Sequence, residues 1–224
     1  MTRSRSNNDR LINNLIEHED VVTKLQDLAE ILNHFNPIQF YTDGSYQNDF
    51  LNTEAPMGYG WTTSNLMVNL THSGSLKFFP SSTKAEVMAI LTALIVSPPK
   101  CDVFIYTDSQ AAIDAFHKSK NLYSISPRWF NKINNNILWS AIHHIIEQLS
   151  LKVKFIKVSG KAHSGDHFND QADALAKAER LILTPTTIKH NHLPIQTLTL
   201  EWNEEIPLIK MSESALAPYS IINE

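Results

Sequence analysis

The sequence predicts an α/β fold: a mixed five-stranded sheet flanked by helices, in the order β-β-β-α-β-α-α-β-α over residues 38–183. Three observations predict it. Two apolar runs, Ile38–Ser45 and Val103–Asp108, each reach an aspartate as they end. Two further strand-like segments follow the first run with short connections, the pattern of an antiparallel meander. Helical periodicity then separates the first, fourth and fifth strands, and such crossovers make parallel neighbours.

In chain order, residues 9–35 predict one long helix, with Leu11, Leu15, Val22, Leu25, Ala29 and Leu32 at three-four spacing and Asn8 or Asp9 as its cap. It reads as an N-terminal helical extension over 1–36, packed on its own domain or a neighbour. Self-association as a coiled coil is the other reading. Pro37 ends it and begins the first strand. Tyr46–Pro56 is a polar turn, Met57–Thr63 a second strand and Met67–Leu76 a third. Pro80–Thr83 opens a helix that runs through Leu94, stopped by Pro98 and Pro99. Val103–Asp108 is continuously apolar, as a strand buried on both faces should be. Helices follow at Ser109–Lys118 and Asn134–Leu149. Leu151–Val158 alternates as the last strand, a loop carries His163, and Phe168 to Leu183 is an alanine-rich final helix.

A chain of 224 residues suits one well-cored domain with extensions. The division predicted is 1–36, 37–183 and a poorly defined tail at 184–224, with a short strand at Thr197–Trp202. No run approaches the roughly 18 apolar residues of a membrane span, and Met1–Ser6 does not open a signal peptide. The expected location is therefore intracellular, in cytoplasm or nucleus, with no membrane partner. The single cysteine, Cys101, excludes an internal disulfide framework and a thiolate-rich zinc site. The net charge of −4 sits in the two ends, leaving the middle nearly neutral. Tight non-specific binding to nucleic acid is not its signature.

In mixed sheets, ligands bind beyond the carboxyl ends of the parallel strands. Asp43 and Asp108 stand at two such ends. Glu86 lies in the first turn of the first crossover helix, and Asp173 lies early in the last helix. Each has an ordinary reading alone. Asp43-Gly44 is a turn pair, and Asp108 before Ser109-Gln110 is a helix cap. Thr83-Lys84-Ala85-Glu86 is a capping box, and Asp173 is a solvated helix residue. Together they form an acid cluster at one sheet end. Carboxylates titrate near pH 4, so at neutral pH they repel one another unless a cation lies between them. Oxygen ligands without paired His or Cys point to Mg²⁺ or Mn²⁺ rather than zinc. Two such ions about 4 Å apart activate water and steady the leaving oxygen of a phosphodiester. His163, in a Gly- and Ser-containing loop, is placed to carry a proton.

Tyr41-Thr42-Asp43-Gly44-Ser45, Ser82-Thr83-Lys84-Ala85-Glu86-Val87-Met88-Ala89-Ile90, Tyr106-Thr107-Asp108-Ser109-Gln110-Ala111 and His163-Ser164-Gly165 with Asn169-Asp170-Gln171-Ala172-Asp173 resemble, in order, the motifs of type 1 ribonuclease H. The resemblance covers about residues 38–180 and is most like the ribonuclease H domains of eukaryotic retrotransposons. It implies a ribonuclease H-like fold. It also implies Asp43, Glu86, Asp108 and Asp173 as ligands of two Mg²⁺ ions, with Mn²⁺ as substitute, and His163 as the loop histidine. Such enzymes hydrolyse the RNA strand of RNA–DNA hybrids, leaving a 3′-hydroxyl and a 5′-phosphate. Two features depart from the pattern: the long polar stretch Tyr46–Glu54, and Lys84 before Ala85-Glu86.

A hybrid is read through backbone charge, groove shape and the 2′-hydroxyl. Lys118, Lys120, Arg128, Trp129 and Lys132 form a basic, aromatic segment without an acid and are the predicted handle. Gly44, Ser45, Ser81 and Thr83 are predicted contacts beside the acids. Lys152, Lys154, Lys157 and Lys161 read either as a second basic face or as charges blunting an edge strand. Phe130 and Trp129 read either as helix packing or as stacking platforms. Two other functional classes compete: a catalytically silent hybrid-binding or connection module of a reverse transcriptase polyprotein, and a metal nuclease of similar fold that cuts DNA.

Overall fold

The predicted parallel pair forms between β1 (Ile38–Tyr46) and β4 (Asp102–Thr107), in register from Ile38 opposite Val103 to Tyr41 opposite Tyr106. The structure is a computed structural model. It describes residues 6–47, 56–77, 81–159, 166–180, 184–189 and 192–193, and the backbone of 198–203 and 206–211. Around the central pair the sheet has the order β3-β2-β1-β4-β5, with β2 at Met57–Thr63, β3 at Thr71–Leu76 and β5 at Lys152–Lys157. The meander is antiparallel and β5 runs parallel to β4. The predicted fold class, a mixed five-stranded sheet with flanking helices, is the observed one.

Side chains alternate across a strand, so each face of the sheet has its own partner. Phe40, Tyr59 and Trp61 are buried in the main core, where the Trp61 indole donates to Thr92 of α3 (Ser82–Ile95). The helix α3 is buried nearly all round, which explains its lack of a polar face. On the other face, Gly58 and Gly60 let α7 (His167–Glu179) approach. A Cβ at Gly58 would overlap the Ala176 carbonyl, and one at Gly60 would crowd Leu175.

The single long N-terminal helix is not found. Residues 7–15 form α1 (Asn7–Leu15) and residues 19–32 form α2 (Glu19–Leu32). The cap of α1 is Ser6, in a reciprocal capping box with Asp9, not Asn8 or Asp9. Asn8 instead donates to the Ile95 and Ser97 carbonyls at the end of α3, where helical carbonyls lack partners of their own. The break falls at Ile16, which is extended, fully buried and bridged to Ile188. The apolar stripe crosses the break because Leu11, Leu15, Leu25 and Leu32 all enter the one core. Both helices thus pack on their own sheet-and-helix body.

Three further boundaries differ from expectation. The helix after β4 is longer, α4 (Gln110–Tyr123), and a short α5 (Pro127–Phe130) starts on proline, where a missing N–H costs nothing. It leads to α6 (Asn136–Leu149). The third strand starts at Thr71, after bends at 64–68. Residues 184–189, assigned by sequence to a loose tail, form a strap. Thr186 N donates to Ser75 O, Glu17 N to Thr187 O and Lys189 N to Leu15 O. The buried Tyr59 hydroxyl lies 2.7 Å from Thr186 Oγ1. The strap covers the outer edge of β3, one of the ways proteins protect an exposed strand. Farther on, the expected strand at Thr197–Trp202 is present as β6 (Leu198–Asn203), paired with β7 (Ile206–Met211).

Because Leu15 is fully buried where α1 meets the core, Leu15→Ala lowers the free energy of unfolding by about 2–5 kcal/mol. Denaturant unfolding of the full chain checks this. An unchanged midpoint would mean that the N-terminal helices do not share the core's stability.

Candidate active site

The β1–β4 register ends its pairing at Tyr41 and Tyr106, whose rings stack with centroids 4.5 Å apart and 6° between planes. Asp43 and Asp108 each stand two residues beyond that pair, at neighbouring strand ends. Gly44 then lets α3 come in close: a Cβ there would overlap the Glu86 amide and crowd Ala85. The first turn of α3 is thereby pressed against the end of β1. One oxygen each from Asp43, Glu86 and Asp108 lies within 4.8 Å of the others.

The competing structural readings of two acids fail on local geometry. The N-cap of α3 is Ser81, whose hydroxyl accepts from Lys84 N, so Glu86 is not the closing residue of a Thr83 capping box. Ser109, not Asp108, caps α4 by accepting from Ala112 N. Both carboxylates are therefore released toward the cluster. Glu86 is only 6% exposed, and its Oε2 has no hydrogen-bond partner.

Burial raises the Asp43 carboxyl to about 7, with the negative charge of Asp108 next in importance; a bond to Glu86 and the Gly44 amide oppose the rise. Burial, then the charges of Asp43 and Asp108, push Glu86 well above the usual carboxylate range. These are the marks of acids held together against their repulsion.

Asp173 stands apart from the other three. It lies on α7, and its charge helps raise Asp43, but its Oδ2 is held by Lys177 Nζ at 2.6 Å. A second lysine, Lys157 at the end of β5, donates to the Asp108 carbonyl oxygen. Sequence reading singled out neither role. The sequence signal for Lys177 was its i,i+4 spacing from Asp173; for Lys157 there was none, since its place depends on the register that pairs it with Thr107. His163 and Lys161 lie outside the described residues.

The RNase H family model matches residues 36–180. The chain belongs to the RNase H family. A ribonuclease H of Wolbachia (strain wRi) is 29% identical over 100 residues, which are 43% of this chain and 66% of that protein, so the match spans just under two thirds of that relative. The ribonuclease HI of Helicobacter pylori is 27% identical over 150 residues, 67% of this chain and 97% of that one. A foamy viral protease–reverse transcriptase, solved with double-stranded DNA, shares the fold at a TM-score of 0.51 and 19% identity, over 65% of this chain and 95% of that one.

In this RNase H chain the donor set fits a hard divalent cation. It offers only oxygens, three of them close together, and one buried oxygen is otherwise unsatisfied. The predicted substrate residues divide into two groups. Gly44 and Ser45 follow Asp43 on β1, and Ser81 and Thr83 open α3 ahead of Glu86; Gly44 and Ser81 already serve packing and capping. Lys118, Lys120, Arg128, Trp129 and Lys132 are exposed on α4, α5 and the turn after it. Phe130 is buried against Tyr123, as the packing reading expects. Trp129 is 60% exposed, with Lys132 Nζ 4.6 Å from its ring centroid.

Folding raises Asp43 from 3.8 to about 7, so the metal-free folded state keeps a proton that the unfolded chain releases. That stabilisation is complete below about pH 4 and is lost as pH rises through about 7. His72 and His143, lowered to about 4 by burial, act in the opposite sense over much of the same window. The comparison is therefore with Asp43→Asn, which removes this proton and also relieves Glu86 of the Asp43 charge. Melting in chelator should show wild type losing stability relative to this variant between pH 4 and 7. A constant difference across the window would contradict the raised pKa.

Proposed function

We propose that the protein is a ribonuclease H that hydrolyses the RNA strand of RNA–DNA hybrids with divalent-metal assistance, leaving a 3′-hydroxyl and a 5′-phosphate. The observation that carries this reading is the approach of Asp43, Glu86 and Asp108 to within 4.8 Å, from three separate elements of an RNase H family chain. In this proposal the three are metal ligands, with Asp173 as the fourth.

Two Mg²⁺ ions, with Mn²⁺ as substitute, would supply a nucleophilic water and charge stabilisation at the leaving oxygen. The chain's own residues do the rest. The oxygens of Asp43, Glu86 and Asp108, with Asp173, would hold the cations at the end of the sheet. The amino end of α3, with Ser81 and Thr83, faces the substrate backbone, where helix amides favour phosphate. Lys118, Lys120, Arg128 and Lys132 meet hybrid phosphates, and the exposed Trp129 offers a stacking face. His163 moves a proton to or from the departing group.

Residues 37–183 carry the chemistry, with α1, α2 and the strap at 184–189 packed against that body. The motif resemblance supports a retrotransposon-type origin, and the single cysteine supports a reducing, intracellular location. Self-association remains an independent proposal about the end of α2 and the turn after it, where Ile31 and Phe35 are exposed. A silent connection module is the competing reading. The buried, unsatisfied Glu86 Oε2 weighs against it, because a hybrid-binding module gains nothing from that cost.

Labelled RNA–DNA hybrid, double-stranded RNA and duplex DNA, each with and without Mg²⁺, test the proposal on a gel. Only the RNA strand of the hybrid should be cut, and only with metal. Asp108→Asn should lower the rate by at least about a hundredfold with the fold retained by circular dichroism. Undiminished metal-dependent cleavage by that variant would remove Asp108 from the chemistry, and cleavage of the DNA duplex would move the protein to another nuclease class.

A further inference from the structure

The four acids do not present themselves alike. Asp43, Glu86 and Asp108 form the close group, whereas Asp173 is half-exposed and already holds a cation of the chain's own, Lys177. The helix that carries both cannot easily move. Ala172 and Ala176 are buried against the glycine-lined face of β2, where Gly58 and Gly60 leave no gap. Any change at Asp173 must therefore come from side chains. The lysine side chain is 56% exposed, so it can leave into water at small cost.

We propose that Lys177 is a positioning residue that holds Asp173 as a tethered counter-ion and so lowers the protein's affinity for the divalent ion that this carboxylate would help bind. The inference rests on the metal-dependent reading above and refines it. Two cations compete for one carboxylate. The apparent affinity of the incoming ion falls by the fraction of molecules in which Asp173 is free of the lysine. An exposed ion pair of this kind changes that fraction by about fivefold at most. The first ion, held by the close three-acid group, is unaffected. The arrangement makes the protein load its metals in order, with the second arriving only at higher concentration.

Calorimetric titration of the full chain with Mn²⁺, without nucleic acid, tests this directly. Wild type should give a tighter and a weaker phase. Lys177→Met should strengthen the weaker phase by up to about fivefold and leave the tighter one in place. Lys177→Arg keeps a cation on Asp173 and should titrate like wild type. On an Asp173→Asn background, Lys177→Met should change nothing further. If Lys177→Met alters only the metal-free melting temperature and leaves both phases where they were, the lysine is a helix-stabilising residue and the inference is overturned. Lys177→Gln gives the same reading if the methionine variant does not fold. Absence of any Mn²⁺ binding by wild type would overturn the metal reading itself, a result distinct from unchanged phases.

Discussion

The side-by-side parallel pairing of β1 and β4 decides where negative charge accumulates in this molecule. It carries Asp43 and Asp108 past the stacked Tyr41 and Tyr106 to the same end of the sheet. A shift of one residue in either strand would turn one carboxylate to the opposite face. The glycine that follows Asp43 completes the arrangement, because only an absent side chain admits the first turn of α3 and with it Glu86. Three segments distant in sequence thus bring like charges together and remove two of them from water.

That concentration costs stability, and the rest of the fold supports it. A helix apolar on nearly all sides lies under the sheet, and α1 and α2 extend the same core. On the other face, small residues of α7 meet the β2 glycines, so the helix that bears Asp173 is held firmly. The strap at 184–189 ties the β3 edge to the end of α1. Around the acids, cations of the chain itself are placed at the rim: Lys177 on Asp173, and Lys157 on the backbone of Asp108. The buried oxygen Glu86 Oε2 receives none of this relief.

The strands, their order along the chain and the meeting of Asp43, Glu86 and Asp108 were legible in the sequence because each follows from local pattern: apolar runs ending on aspartate, and helices between them. What was not legible depends on contacts far apart in the chain. The N-terminal periodicity continues past Ile16 with His18 in its gap, and the contacts that end the helix there, the bridge to Ile188 and the bonds from the strap, come from far along the chain. Ser81 and Thr83 are both acceptable caps by composition; in the fold Ser81 takes the role by accepting from Lys84 N, which leaves Glu86 to the acid cluster. Trp129 and Phe130 looked equivalent, yet one is buried and the other faces water. Asp173 looked like an equal member of the tetrad because its lysine sits one helical turn away, a spacing also common in ordinary surface pairs.

The account stands on a cation shared by acids that otherwise repel. Anomalous diffraction from crystals grown at neutral pH in Mn²⁺ would locate such an ion without reference to activity. The account predicts a peak in ligating contact with carboxylate oxygens of Asp43, Glu86 and Asp108. A cluster that keeps its geometry while millimolar Mn²⁺ gives no peak there would show that protons alone hold the acids together, and would contradict it.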